Sequence, residues 1–106
     1  MEHYGFKKTK ALMIQALQEE RVQHEPRALQ AEKNLLATGD VDAAFVISLL
    51  QATTGRQAGS QPHHQVPGIQ VWVLKPSVHG RRWYVKAYLL DDLWVISVHA
   101  SSEGVS

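Results

Sequence analysis

A phenol, an ammonium and a second phenol stand at alternate positions late in this chain, at Tyr84, Lys86 and Tyr88, and a hydroxyl and an imidazole follow with the same spacing at Ser97 and His99. Successive side chains on a β-strand point to opposite sides, so this spacing gathers the five residues onto one face of a β-ribbon. Such a set suits one task well, which is to hold a phosphodiester and move protons around it. Lys86 would stabilise negative charge, with His99 as acid or base near neutral pH. That chemistry requires no metal and no cofactor. Arg56, Lys75, Arg81 and Arg82 border the same segment in sequence and can supply phosphate contacts, while Tyr84 or Tyr88 can stack on a base. The bland alternative is an ordinary solvated face, since antiparallel sheets commonly carry polar and aromatic residues on the side away from the core.

Whether these groups meet depends on how the strands at 82–90 and 93–100 are joined. With Asp91 and Asp92 as the two central residues of a turn, Leu90 pairs with Leu93. Counting back sets Tyr88 against Val95, Lys86 against Ser97 and Tyr84 against His99. Directly opposed side chains have Cβ atoms about 4.5 to 5.5 Å apart, so Tyr84 and His99 could act on one substrate group. The other face would carry Trp83, Val85, Ala87, Leu89, Trp94, Ile96 and Val98. It is almost wholly apolar and needs a cover.

Helices earlier in the chain supply that cover. After a ragged lead-in at 1–7, whose Tyr4 and Phe6 can tuck onto the body, residues 8–20 place Ala11, Leu12, Ile14, Ala16 and Leu17 at helical spacing, with Thr9 near the start as a cap. Arg21, Val22 and Gln23 can form a brief extended segment. Pro26 suits a first helical turn, and Ala28, Leu29, Ala31, Leu35 and Leu36 mark a second helix stopped by Gly39. Asp40 then caps a third helix that ends around Gln51. The segment at 52–68 is rich in glycine and proline and reads as a long loop with a short edge strand inside. The first convincing strand is 69–75, turned by residues 76–80 into the meander of 82–90 and 93–100, and a disordered polar tail occupies 101–106. The expectation is one α+β domain spanning 1–106: helices at 8–51, then an antiparallel sheet at 69–100 with the helices packed on one face.

Composition bounds what such a domain can do. A chain of 106 residues, 44% hydrophobic, supports one modest core. The formal charge of +1 excludes a polyelectrolyte that coats nucleic acid, so any basic surface is local. The absence of cysteine excludes disulfides, thiolate catalysis and cysteine zinc sites, and suits a reducing compartment. No apolar run approaches the ~18 to 20 residues of a membrane span, and MEHYGFKKTK lacks the apolar region of a secretion signal. The chain therefore reads as soluble and cytoplasmic.

Weaker signals have local explanations. His63 and His64 lack a further ligand at a recognised spacing and read as solvated. Asp91 and Asp92 are explained by their turn. Gly55 and Gly59 belong to no phosphate-binding loop. The cluster KKTK at 7–10 reads as solvent-exposed.

The order of three helices and a strand meander, with ALQEERVQHEPRAL near the start and VWVLKP and RRWYVKAYLLDDLWVISVHAS at the end, resembles the motility quorum-sensing regulator (MqsR) family of toxins in the RelE-like superfamily. WYVK and WVISVH are the most telling parts, and the likeness covers residues 8–100. It implies a RelE-like fold and a metal-independent endoribonuclease that cleaves messenger RNA and is silenced by a cognate antitoxin. Tyr84 falls on the tyrosine implicated in that family's active site, and His99 stands where the family has a lysine at the end of the last strand. The replacement keeps a proton donor but makes activity more dependent on pH. The family's loop lysine has no clear counterpart, Arg56 being the nearest basic residue, and its strand glutamine corresponds to Gln70 only with a shift of alignment. Two readings of different class follow. One is a ribonuclease toxin in which Tyr84, His99 and Lys86 are catalytic while Arg56, Gln70, Lys75, Arg82 and Tyr88 bind substrate. The other is a non-catalytic module that binds protein or RNA, with the last strand and the first strand of the meander as the sheet edges open to a partner.

Overall fold

The computed structural model describes residues 5–25 and 33–101. Helix α1 (Phe6–Gln18) buries Thr9, Met13, Ala16 and Leu17, the spacing of one helical face. It starts earlier than the pattern at 8–20 suggests. Gly5 occupies the N-cap without a side-chain bond, and Thr9 is an interior residue rather than the cap. Phe6 lies against Trp72 at 5.6 Å between ring centroids, and Lys10 donates to the Thr53 carbonyl, so the basic cluster is not wholly solvated. Tyr4 falls outside the described residues.

Strand β1 (Val22–His24) is the brief extended segment. Of the second helix, α2 (Leu35–Thr38) lies within the described residues, capped at its start by the Asn34 side chain and at its end by Gly39 in the left-handed region at φ 86°. The part at 26–32 lies outside them. Helix α3 (Ala43–Ala52) is capped by Asp42, whose carboxylate accepts from the Phe45 N–H at 2.9 Å, and not by Asp40, which instead accepts from the Thr38 hydroxyl. The cap thus sits directly before the apolar run whose Val46, Leu49 and Leu50 are buried. No helix among the described residues is long and apolar enough to cross a membrane.

The segment at 52–68 contains a 3-10 turn (Gly55–Gln57) and the expected edge strand, β2 (Ala58–Pro62). Strands β3 (Gln70–Leu74), β4 (Ser77–Val78), β5 (Arg81–Leu90) and β6 (Asp92–Ala100) follow. The sheet runs β1-β6-β5-β3-β2, with β4 paired to β5. It is mixed rather than purely antiparallel, because β1 pairs with β6 in parallel. This also corrects the edges. The last strand is enclosed by β1 and the first meander strand by β2, so β1 and β2 are the outer strands. Strands β4 and β5 meet at His79 and Gly80, whose φ values of 54° and 75° fit a two-residue turn that twists with its strands. Pro76, which has no N–H to give a ladder, separates β3 from β4.

Beneath the helices, Met13, Leu49, Leu50, Leu74, Leu93 and Val98 form the centre of the core, and each fully buried leucine stabilises the fold by roughly 1.5–3 kcal/mol relative to an exposed one. The hairpin that joins core and candidate chemistry differs from expectation in two places. Its turn is one residue tighter: Asp91 alone turns the chain at φ 65°, pairing Leu90 with Asp92, Leu89 with Leu93 and Tyr88 with Trp94. A bulge then interrupts the ladder, since Ala87 faces Val95 whereas Lys86 faces Ser97, leaving Ile96 as the extra residue. The slip and the bulge cancel. Tyr84 faces His99 and Lys86 faces Ser97 as expected, but Trp94 and Ile96 do not join the core and instead pack with Tyr88 and Val71 on the opposite face. The bulge is required because the core-facing residues change parity, from Leu93 and Val95 to Val98.

Candidate functional site

On the face of the sheet away from α1 and α3, the rings of Tyr84 and His99 are stacked, with centroids 5.1 Å apart and planes 20° from parallel. His99 Nδ1 lies 2.9 Å from the Ala100 carbonyl oxygen. A carbonyl only accepts, so Nδ1 carries a proton, and in the neutral ring Nε2 is the nitrogen with the lone pair. Both residues are partly exposed, and the Tyr84 hydroxyl has no hydrogen-bond partner among the described residues. The pair therefore offers one base and one donor side by side, neither spent on the fold.

Three of the expected cations lie around this pair. Lys86 is the next residue inward on the same face of β5, set between Val73 and Ser97, and its ammonium makes no ion pair or hydrogen bond among the described residues. Arg82, exposed, is the next residue outward and faces Ser77. Lys75 belongs to the rung of Tyr84: the ladder pairs Leu74 with Val85, and the Trp83 N–H donates to the Pro76 carbonyl, so the register continues across the gap. Arg56 is more distant. It is exposed in the turn before β2, at the same end of the sheet, since the Lys75 N–H donates to the Gln57 carbonyl. Two strand spacings, about 9.5 Å, separate β2 from β5. Gln70 and Arg81 stand apart from the group. Gln70 shares the helix-side parity of Trp72, and Arg81 packs its guanidinium over the Trp83 ring at 5.7 Å.

Tyr88 has a different role from the base-stacking one its position suggests. It is only 5% exposed, parallel to Trp94 and edge-on to His63 at 4.7 Å, and its hydroxyl donates to Glu25 at 2.8 Å. His63 is no solvated loop residue either. Its Nδ1 accepts from the backbone N–H groups of Gln65 and Val66, which places its proton on Nε2, 3.8 Å from the Glu25 carboxylate. Glu25, His63, Gln65, Val66, Tyr88 and Lys86 are among the residues that line a cleft of about 570 Å³. No three metal-ligating side chains converge among the described residues.

Glu25 and His63 were invisible as partners in the sequence. Glu25 is 63 residues from Tyr88 in the chain, and only the parallel pairing of β1 carries it there, its N–H donating to the Val95 carbonyl. For His63 the adjacent Gly-poor, proline-flanked turn at 62–67 was a faint signal of a capped loop. Comparison with known proteins gives no match to any family model, curated protein or solved structure.

Proposed function

We propose that this chain is a metal-independent endoribonuclease of RelE-like architecture, the toxin of a toxin–antitoxin pair, cleaving messenger RNA. The observation that carries this reading is the stacked Tyr84 and His99 with a bare Nε2, set among Lys75, Arg82 and Lys86 on one face. In the reaction, His99 Nε2 takes the proton of a 2′-hydroxyl as its oxygen bonds to the adjacent phosphorus. The bond to the 5′-oxygen breaks, and that oxygen takes a proton from Tyr84, leaving a 2′,3′-cyclic phosphate. Lys86 and Arg82 hold the charge that grows on the phosphoryl oxygens. The proposed protein partner is a cognate antitoxin, and the whole assignment to a toxin rests on the resemblance in WYVK and WVISVH.

Purified protein and RNA in excess chelator provide the test. Cleavage to cyclic-phosphate ends is expected, and Tyr84→Phe and His99→Ala should each lower its rate about 10²- to 10⁴-fold with thermal unfolding unchanged. Full cleavage by both variants would reject the site. Intact RNA and normal growth after induction in a bacterium would favour the non-catalytic binding module.

A further inference from the structure

The cleft beside the catalytic pair is prebuilt and its polar groups are selective in kind. Its wall, the loop at 63–66, is fixed by His63 itself: Nδ1 accepts two backbone N–H groups, and the His63 N–H donates to the Ile69 carbonyl at 2.8 Å. The floor is apolar, made by Val71 and Ile96 and backed by Tyr88. A volume of about 570 Å³ lies within the range of small-molecule sites. At its rim the side-chain amides of Gln61 and Gln65 make no hydrogen bond among the described residues.

These features discriminate between occupants. A free anion needs donors alone, and a lipid or apolar ligand needs no polar rim. Two amides, each a donor and an acceptor, match the mixed donor and acceptor edge of a nucleobase, whose flat body fits the apolar floor. Lys86 belongs both to the cleft lining and to the strand face of Tyr84, only two residues away, or about 6.7 Å along β5. A phosphate at the pair and a base in the cleft are thus placed to belong to one nucleotide. We propose that the cleft is the nucleobase subsite for the residue flanking the scissile phosphate, with Gln61 and Gln65 as specificity-determining residues. This rests on the ribonuclease reading for its ligand class.

The test is binding without turnover. Nucleoside 3′-monophosphates added to isotopically labelled protein should give saturable NMR shifts in the Gln61 and Gln65 side-chain amides and in the Val71 and Ile96 methyls. Inorganic phosphate and ribose 5-phosphate should leave those signals in place. Replacing both glutamines (Gln61→Ala with Gln65→Ala), exposed positions on the rim, should weaken nucleotide binding about ten-fold and flatten the difference among the four bases. Equal shifts from inorganic phosphate, absence of saturation, or wild-type affinity in the double variant would each overturn the subsite. RNA cleavage with silent cleft signals would remove the subsite and leave the catalytic pair. Base binding in a protein that never cleaves RNA would do the reverse.

Discussion

Strand β5 presents two tyrosines on one face, each beside a histidine, and the two pairs are wired in opposite ways. In Tyr84 and His99, histidine Nδ1 donates to a carbonyl and Nε2 has no hydrogen-bond partner among the described residues, and the phenol is uncommitted among them too. In Tyr88 and His63, Nδ1 accepts two backbone N–H groups and leaves Nε2 protonated, and the phenol is held by Glu25. The first pair has its reactive atoms to spare, whereas the second spends them on holding a loop and β1 to the sheet. Residue type and proximity are the same in both, so what separates chemistry from architecture is where the remaining hydrogen bonds go.

Substitution at matched positions would sharpen or break this contrast. The largest effect belongs to His99→Ala, with cleavage of RNA down about 10²- to 10⁴-fold and the denaturation midpoint unchanged. Next is a comparison of hydroxyl deletions. Tyr88→Phe removes a part-buried bond to a carboxylate and should cost about 1.5–3 kcal/mol in chemical denaturation, while Tyr84→Phe should stay within about 0.5 kcal/mol of wild type. Equal costs would erase the distinction. A smaller effect is expected from His63→Ala, which removes the acceptor of two loop N–H groups, one exposed and one part-buried, at a cost of about 1 kcal/mol. Faster hydrogen exchange at Gln65 and Val66, without change elsewhere, is the measurement that checks it.

A third histidine supplies the smallest and most specific test. His24 Nδ1 accepts from the Asn34 amide at 3.1 Å, and burial holds its imidazole below the usual value of 6.5. A lowered folded pKa means that the native state binds fewer protons than the unfolded chain. The contribution is complete above about pH 6.5 and is lost as pH falls from there through the lowered folded value. Denaturation between pH 7.5 and 5.5 should therefore show a loss of stability that His24→Gln reduces. An unchanged pH dependence in that variant would exclude the coupling.

Much of this was legible in the chain itself. Local periodicity marked α1 and α3 as helices and put Ala16 and Leu17 on the buried side of the first, although Ala11 proves exposed and Met13 and Val46 take core places that the pattern did not single out. Glycine chemistry gave the end of α2 at Gly39, and strict alternation the common face of Tyr84, Lys86 and Tyr88, because each depends on neighbours within one turn or one strand. The opposition of Tyr84 and His99 was also recoverable, though by two cancelling differences at Asp91 and Ile96. Tertiary structure alone decided the rest. The bulge arises where core-facing parity must change between Val95 and Val98, Trp94 goes to the outer face with its indole N–H donating to the Leu90 carbonyl, and β1 brings Glu25 beneath Tyr88. Those outcomes depend on which surfaces two distant segments must bury together, and on hydrogen-bond partners across the sheet. No spacing within one segment encodes that choice, and it is the choice that left His99 Nε2 without a hydrogen-bond partner among the described residues and made His63 a brace.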